Sequence, residues 1–158
     1  MDNNGKRNGV GGDFPGSSGA NGELKFVFVP PALADEAWPF VLEAIERARA
    51  HSTSTWSPQD VLREIKAGAA HLLFTARDAI ISVLVMRFLE KFDGNKEARI
   101  WIFCASEDFY DYFDKLEDYA KYYGANELTF SSPRKGWAKV APKLGFEVAE
   151  TLYRKRLI

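Results

Sequence analysis

The chain has 158 residues, 46% hydrophobic and 27% charged, with a formal net charge of −1. That is enough chain for one buried core without disulfide or metal staples, and the near-neutral balance argues against a nucleic-acid partner gripped through massed Lys and Arg. A single cysteine excludes an internal disulfide, two histidines are too few for a zinc cluster, and no apolar stretch is long enough to cross a membrane.

Residues 1–22 carry seven of the twelve glycines. Such a segment buries too little apolar surface to offset its ordering entropy. It reads as a disordered N-terminal arm that orders on a protein partner, with Val10 and Phe14 as apolar anchors and Lys6-Arg7 as its basic pair. Residues 23–158 read as one domain. The opening Met1-Asp2-Asn3-Asn4-Gly5 has no apolar core of a signal peptide, so a reducing, cytoplasm-like compartment is expected.

The domain opens with a strand over Leu24–Val29, stopped by Pro30-Pro31. A helix follows from about Asp35, with Trp38, Val41, Leu42 and Ile45 on one face and Pro39 assigned to the first turn. The next helix has defined ends: Ser57 caps it, Pro58 takes the first position, Asp60 completes a capping box and Gly68 ends it.

Three strands come next, over His71–Ala76, Ile80–Met86 and Ala98–Ala105, joined at Arg77-Asp78 and by a loop holding Asp93-Gly94. Short connections make them an antiparallel meander. Within them His71 is expected as a satisfied core or edge residue, Glu97 as a solvated strand end, and Cys104 as a buried, inert thiol. A long helix is expected from Ser106 to Tyr123, stopped at Gly124. Its face of Phe109, Tyr112, Phe113, Leu116, Tyr119, Ala120 and Tyr123 has core spacing.

Leu128–Phe130 reads as a further strand, parallel to its predecessor because a helix separates them. A helical stretch around Trp137–Leu144, then Gly145-Phe146, leads to closing strand segments ending at Arg156-Leu157-Ile158. Arg154-Lys155-Arg156 reads as a charged edge, and Arg134-Lys135 as a solvated turn ahead of a core tryptophan, Trp137.

The fold class is thus α/β with a mixed (α+β) sheet, in the order β-α-α-β-β-β-α-β-α-β. With Gly145-Phe146 after the last helix, this resembles the GNAT acyltransferase fold over residues 24–158. Ser132–Trp137 and Val140–Glu147 are similar to stretches of short GNAT-like proteins of tailed bacteriophages. The resemblance implies an acetyl-CoA site where the strand ending at Ala105 meets the long helix, on a loop of the type Arg/Gln-x-x-Gly-x-Gly/Ala. Glycines there let the backbone reach the diphosphate, and helix N–H groups hold it.

Phe103–Phe109 has no glycine, arginine or glutamine. Ser106 reads as an N-cap that occupies the N–H groups, and Glu107 and Asp108 add negative charge where an anion docks. The tyrosine that many GNAT enzymes place four residues before the glycine is Ala141 here, which transfers no proton.

The expectation is therefore a catalytically degenerate GNAT-fold protein with no catalytic residue, cofactor or metal. It would act as a structural or adaptor component of a larger assembly such as a phage virion, binding protein subunits through its arm in the host cytoplasm or the particle. The alternative is a divergent acetyl-CoA-dependent N-acetyltransferase with Cys104, Ala105, Ser106, Arg134 and Lys135 at the cofactor.

Overall fold

The computed structural model describes residues 12–13, 23–53, 55–105 and 113–158. Lys6, Arg7, Val10 and Phe14 of the expected arm, and Ser106, Glu107, Asp108, Phe109 and Tyr112, expected at the start of the long helix, lie outside the described residues.

Local signals set the best-defined element. The Ser57 hydroxyl accepts from the Asp60 amide at 3.2 Å, and the Asp60 carboxylate accepts from the Ser57 amide at 2.8 Å. This reciprocal box, with Pro58 at the first position, starts helix α2 (Pro58–Lys66). Gly68, at φ 77°, turns the chain out of it. Helix α1 (Ala34–Ala50) buries Ala34, Ala37, Val41 and Ile45. Pro39 is the sixth residue of α1 and not part of its first turn. The amide it lacks would have met the Asp35 carbonyl, and Asp35 is exposed, so that oxygen is not sealed away from solvent.

The remaining elements are strands β1 (Gly12–Asp13), β2 (Lys25–Val29), β3 (Ala70–Ala76), β4 (Ile80–Glu90), β5 (Lys96–Ala105) and β6 (Glu127–Phe130), with helix α3 (Phe113–Tyr122) and the single turn α4 (Trp137–Val140). The strands form one sheet in sequence order. Every neighbouring pair is antiparallel except β5 and β6, which run parallel as the intervening helix requires. The β4–β5 hairpin is longer than its sequence suggested, because cross-strand pairing carries Arg87–Glu90 and Lys96-Glu97 into the ladder.

Each face of the sheet holds its own core. Helices α1 and α2 cover Val29, Leu72, Val83, Val85 and Ile102, while α3 covers Phe26, Leu73, Leu84, Met86, Ala98 and Ile100. The stripe read from the sequence packs as core where it is described: Phe113, Leu116, Tyr119 and Ala120 are buried. Ile100 and Ile102 are two residues apart, which in a regular strand places them on one face, yet they belong to opposite cores. The register explains it: Met86 pairs with Ile100 and Val85 with Ile102, leaving Trp101 as an extra residue. This β-bulge reverses the alternation of β5.

The expected closing strand does not form. Residues 147–158 hold no strand or helix and are exposed throughout. Their large apolar residues, Val148, Leu152, Tyr153, Leu157 and Ile158, fall on both parities of position. No single pleated face gathers them onto this molecule's own core. Among the described residues, no helix is long and apolar enough to cross a membrane.

Candidate functional site

Strand β5 outruns its parallel neighbour. The ladder between β5 and β6 holds four pairs, from Glu97↔Glu127 to Ile100↔Phe130. Beyond Ile100, β5 continues to Ala105 while still pairing with β4, Ser82 opposite Ala105. Five residues at about 3.3 Å each extend β5 by about 16 Å past the point where β6 leaves it. The Trp101 bulge lies at that point of departure, where an extra residue re-aims backbone groups. β5 therefore runs on toward its C-terminal end beyond the last residue of β6.

Parallel pairing decides which sequence features lie toward that end. Cys104 and Ala105 end β5, and the exposed turn of Arg134 and Lys135 follows the end of β6, at the same end of the sheet. The Arg134 amide donates to Ser132 Oγ at 3.2 Å, and the Arg134 carbonyl accepts from the Trp137 amide at 3.3 Å, so the turn is held at its base. Trp137 packs on Phe130 of β6 with ring centres 4.7 Å apart. Ser106 follows Ala105 but lies outside the described residues.

On the α1 side of the β5 end lies a cavity of about 160 Å³, lined among others by Phe40, Glu43, Arg47, Ser82 and Cys104. Arg47 of α1 donates to Glu43 at 3.0 Å and reaches Cys104 Sγ at 3.8 Å. Cys104 is thus half-buried beside a cation rather than sealed in the core. Deeper on this face, Trp101 meets Trp56 edge-on at 6.1 Å, and the Arg87 guanidinium stands 5.0 Å above the Trp101 ring. These contacts depend on the bulge, and nothing in the spacing of the sequence announces it.

Glu97 departs from its expected role. It is 7% exposed and not a solvated end. Arg99 donates to its carboxylate at 3.0 Å, and the Thr129 hydroxyl of β6 donates to the same oxygen. Burial pushes this carboxyl up, but the hydrogen bonds from Thr129 and Arg99 outweigh it and hold the group below its ordinary range. Glu97 lies at the start of β5, four residues before the bulge, and is engaged in joining β5 to β6, so it does not serve as a base at the open end.

Ala141, four residues before Gly145, begins a short 3₁₀ turn. Its carbonyl accepts from the Phe146 amide at 3.0 Å, and its side chain has no proton to give. Gly145, at φ 85°, lets the chain reverse there. Among the described residues, no three His, Cys, Asp or Glu side chains gather as metal ligands.

No family model and no curated protein matches this chain. Solved structures do. A ribosomal-protein-alanine N-acetyltransferase from Brucella melitensis biovar Abortus 2308 superposes with a TM-score of 0.58 at 15% identity, covering 85% of this chain and 99% of that one. An aminoglycoside acetyltransferase from an uncultured soil metagenomic sample, in complex with sisomicin, gives 0.64 at 10% identity, with 85% and 95% covered. A predicted acetyltransferase with acetyl-CoA from Clostridium acetobutylicum gives 0.61 at 10% identity, with 85% and 97% covered.

The fold is the GNAT acetyltransferase fold. The expectation of a catalytically degenerate building block of a phage particle is corrected by these neighbours, which are acetyltransferases. The side chains of a diphosphate loop report on one end of a long donor molecule only, whereas the run of β5 beyond the end of β6 is a backbone feature that they do not report.

Proposed function

We propose that this protein is an acetyl-CoA-dependent N-acyltransferase whose donor lies in the opening between β5 and β6. The observation that carries the reading is the ladder that stops at Ile100↔Phe130 while β5 runs on to Ala105. An extended chain bearing amides can add to a strand edge as another strand does, through main-chain hydrogen bonds. Acetyl-CoA has such an arm, and it supplies the thioester whose carbonyl carbon an amine attacks, the C–N bond forming as the C–S bond breaks.

The residues of this chain then divide the work. The edge of β5 past Trp101 orients the donor, and the bulge re-aims a main-chain amide at the point where β6 departs. Arg134 and Lys135, both exposed at the mouth, offer positive charge to the diphosphate end. The cavity beside Glu43, Arg47 and Cys104 gives the amine an approach on the α1 side. With alanine at position 141, water takes the proton that the attacking amine loses and returns one to the leaving thiolate. A thiol with an ordinary pKa of about 8.5 leaves tolerably near neutral pH without a general acid.

Titration with acetyl-CoA followed by thermal unfolding tests the reading, because a ligand of the folded state must raise the melting temperature. A saturable rise is expected. No shift at millimolar acetyl-CoA would overturn it.

A further inference from the structure

The face of the sheet under α1 and α2 carries a charge that no described neighbour balances. Val83 and Val85 of β4 meet these helices, and strand alternation brings Arg87 to the same face. Its guanidinium stands 5.0 Å from the centre of the Trp101 ring, which Trp56 meets edge-on at 6.1 Å. Directly opposite Arg87 in the ladder is a second arginine, Arg99. Like charges facing each other across a strand pair are destabilising. Arg99 is compensated, donating to Glu97 at 3.0 Å, and Lys91 further along β4–β5 pairs with Glu127 at 2.6 Å. No ion pair among the described residues takes up Arg87. One positive charge is left over, and a guanidinium keeps it at any physiological pH.

The place is fixed and reachable. Trp56 immediately precedes Ser57, whose capping box sets the entry of the chain into α2. Trp101 is the bulged residue beside the last β5–β6 pair, Ile100↔Phe130, so its backbone borders the overhang of β5. Trp56, Arg87 and Trp101 are half-buried and Arg99 is exposed, so solvent reaches this part of the face. Packing accounts for the indoles, which lie on the core behind them. It does not account for the guanidinium. A guanidinium set over a ring keeps its fork of N–H donors for a planar acceptor, the geometry of a carboxylate.

We infer that the acceptor in the proposed acyl transfer is an amine that also carries a carboxylate, with the carboxylate held by Arg87 beside Trp56 and Trp101 and the nitrogen toward the backbone at Trp101. This rests on the transferase reading. One uncompensated charge matches the single charge of a carboxylate, whereas a phosphate monoester brings about −1.5 to −2. A polyamine would set its further cations against Arg87 and Arg99, a repulsive contact that selects against it.

The indole N–H resonances of Trp56 and Trp101, assigned with Trp56→Phe and Trp101→Phe, read binding to the full chain without any donor. Titration with β-alanine or γ-aminobutyrate into the tens of millimolar, at constant ionic strength, is expected to shift them saturably. Propylamine should leave them in place, and phosphoethanolamine should bind more weakly than β-alanine. In Arg87→Gln the dissociation constant for β-alanine is expected to rise by about tenfold or more. The inference is overturned by no saturable shift in the wild type, by an equal response to propylamine, by tighter binding of the phosphate, or by unchanged affinity in the folded variant. The ligand series on the wild type decides the matter even where the variant does not fold. Thermal stabilisation by acetyl-CoA without a carboxylate response would sink this inference alone. A carboxylate response without that stabilisation would overturn the transferase reading and the acceptor role with it, leaving a carboxylate site.

Discussion

The Nδ1 atom of His71 and the hydroxyl of Tyr119 lie 2.6 Å apart, joining β3 to α3 within the sheet's larger aromatic cluster. The rings of Tyr123, Phe88 and Phe28 surround the imidazole at 4.8, 4.9 and 5.5 Å. Burial pushes the imidazole pKa down and the Tyr119 hydroxyl up, Tyr123 adding to the latter. Both groups are therefore neutral at pH 7. Which of the pair donates depends on the histidine tautomer.

This arrangement makes stability fall on the acid side. The folded-state pKa of His71 is below its unfolded value of about 6.5, so the unfolded chain takes up the proton first. The contribution is complete above pH 6.5 and is lost as pH drops below it. Urea unfolding midpoints are expected to decline between pH 7 and pH 5. In His71→Gln, which keeps a hydrogen-bonding side chain but cannot titrate, part of that decline should vanish. An identical decline in both proteins would refute the assignment.

Glu97 joins β5 to β6, and its loss should register as stability rather than as donor affinity. Removing the carboxylate in Glu97→Ala takes the shared acceptor from Arg99 and Thr129. A cost of about 1–3 kcal/mol is expected for partners left unsatisfied in a mostly buried place. Denaturant unfolding measures it. Acetyl-CoA affinity should change little, because Glu97 is at the strand end away from the opening.

Arg134 and Lys135 should behave in the opposite way. Both are exposed, so Arg134→Glu with Lys135→Glu leaves the unfolding midpoint of the free protein within about 2 °C of the wild type, since surface changes of this kind cost little. The dissociation constant for acetyl-CoA is expected to rise by about tenfold, and the wild-type constant should weaken with salt more steeply than the variant's. Calorimetric titration at two salt concentrations reads both effects. Equal affinity in the two proteins would remove this turn from the donor site.

Much of the architecture was legible before any coordinates. Ser57, Pro58 and Asp60 announce a helix start through chemistry that needs only four neighbouring residues. The stripe through Phe113, Leu116, Tyr119 and Ala120 announces a buried face through its spacing alone. The helix between β5 and β6 announces their parallel pairing. Glu97 was misjudged because a strand-end position says nothing of Thr129, which lies 32 residues later and arrives only when β6 pairs with β5. The closing strand was misjudged because strand propensity is realised against a neighbour, and the segment at 147–158 has none in this molecule.

The sequence by itself determined the element types and their order as far as β6, because capping, periodicity and chain reversal are short-range matters. Only the tertiary structure decided where the site opens. The Trp101 bulge is defined by which residue of β4 faces which residue of β5, and the overhang of β5 beyond Ile100 by where a four-residue strand ends against a ten-residue one. Register and relative length are properties of pairs of strands, so no local pattern along a single chain records them.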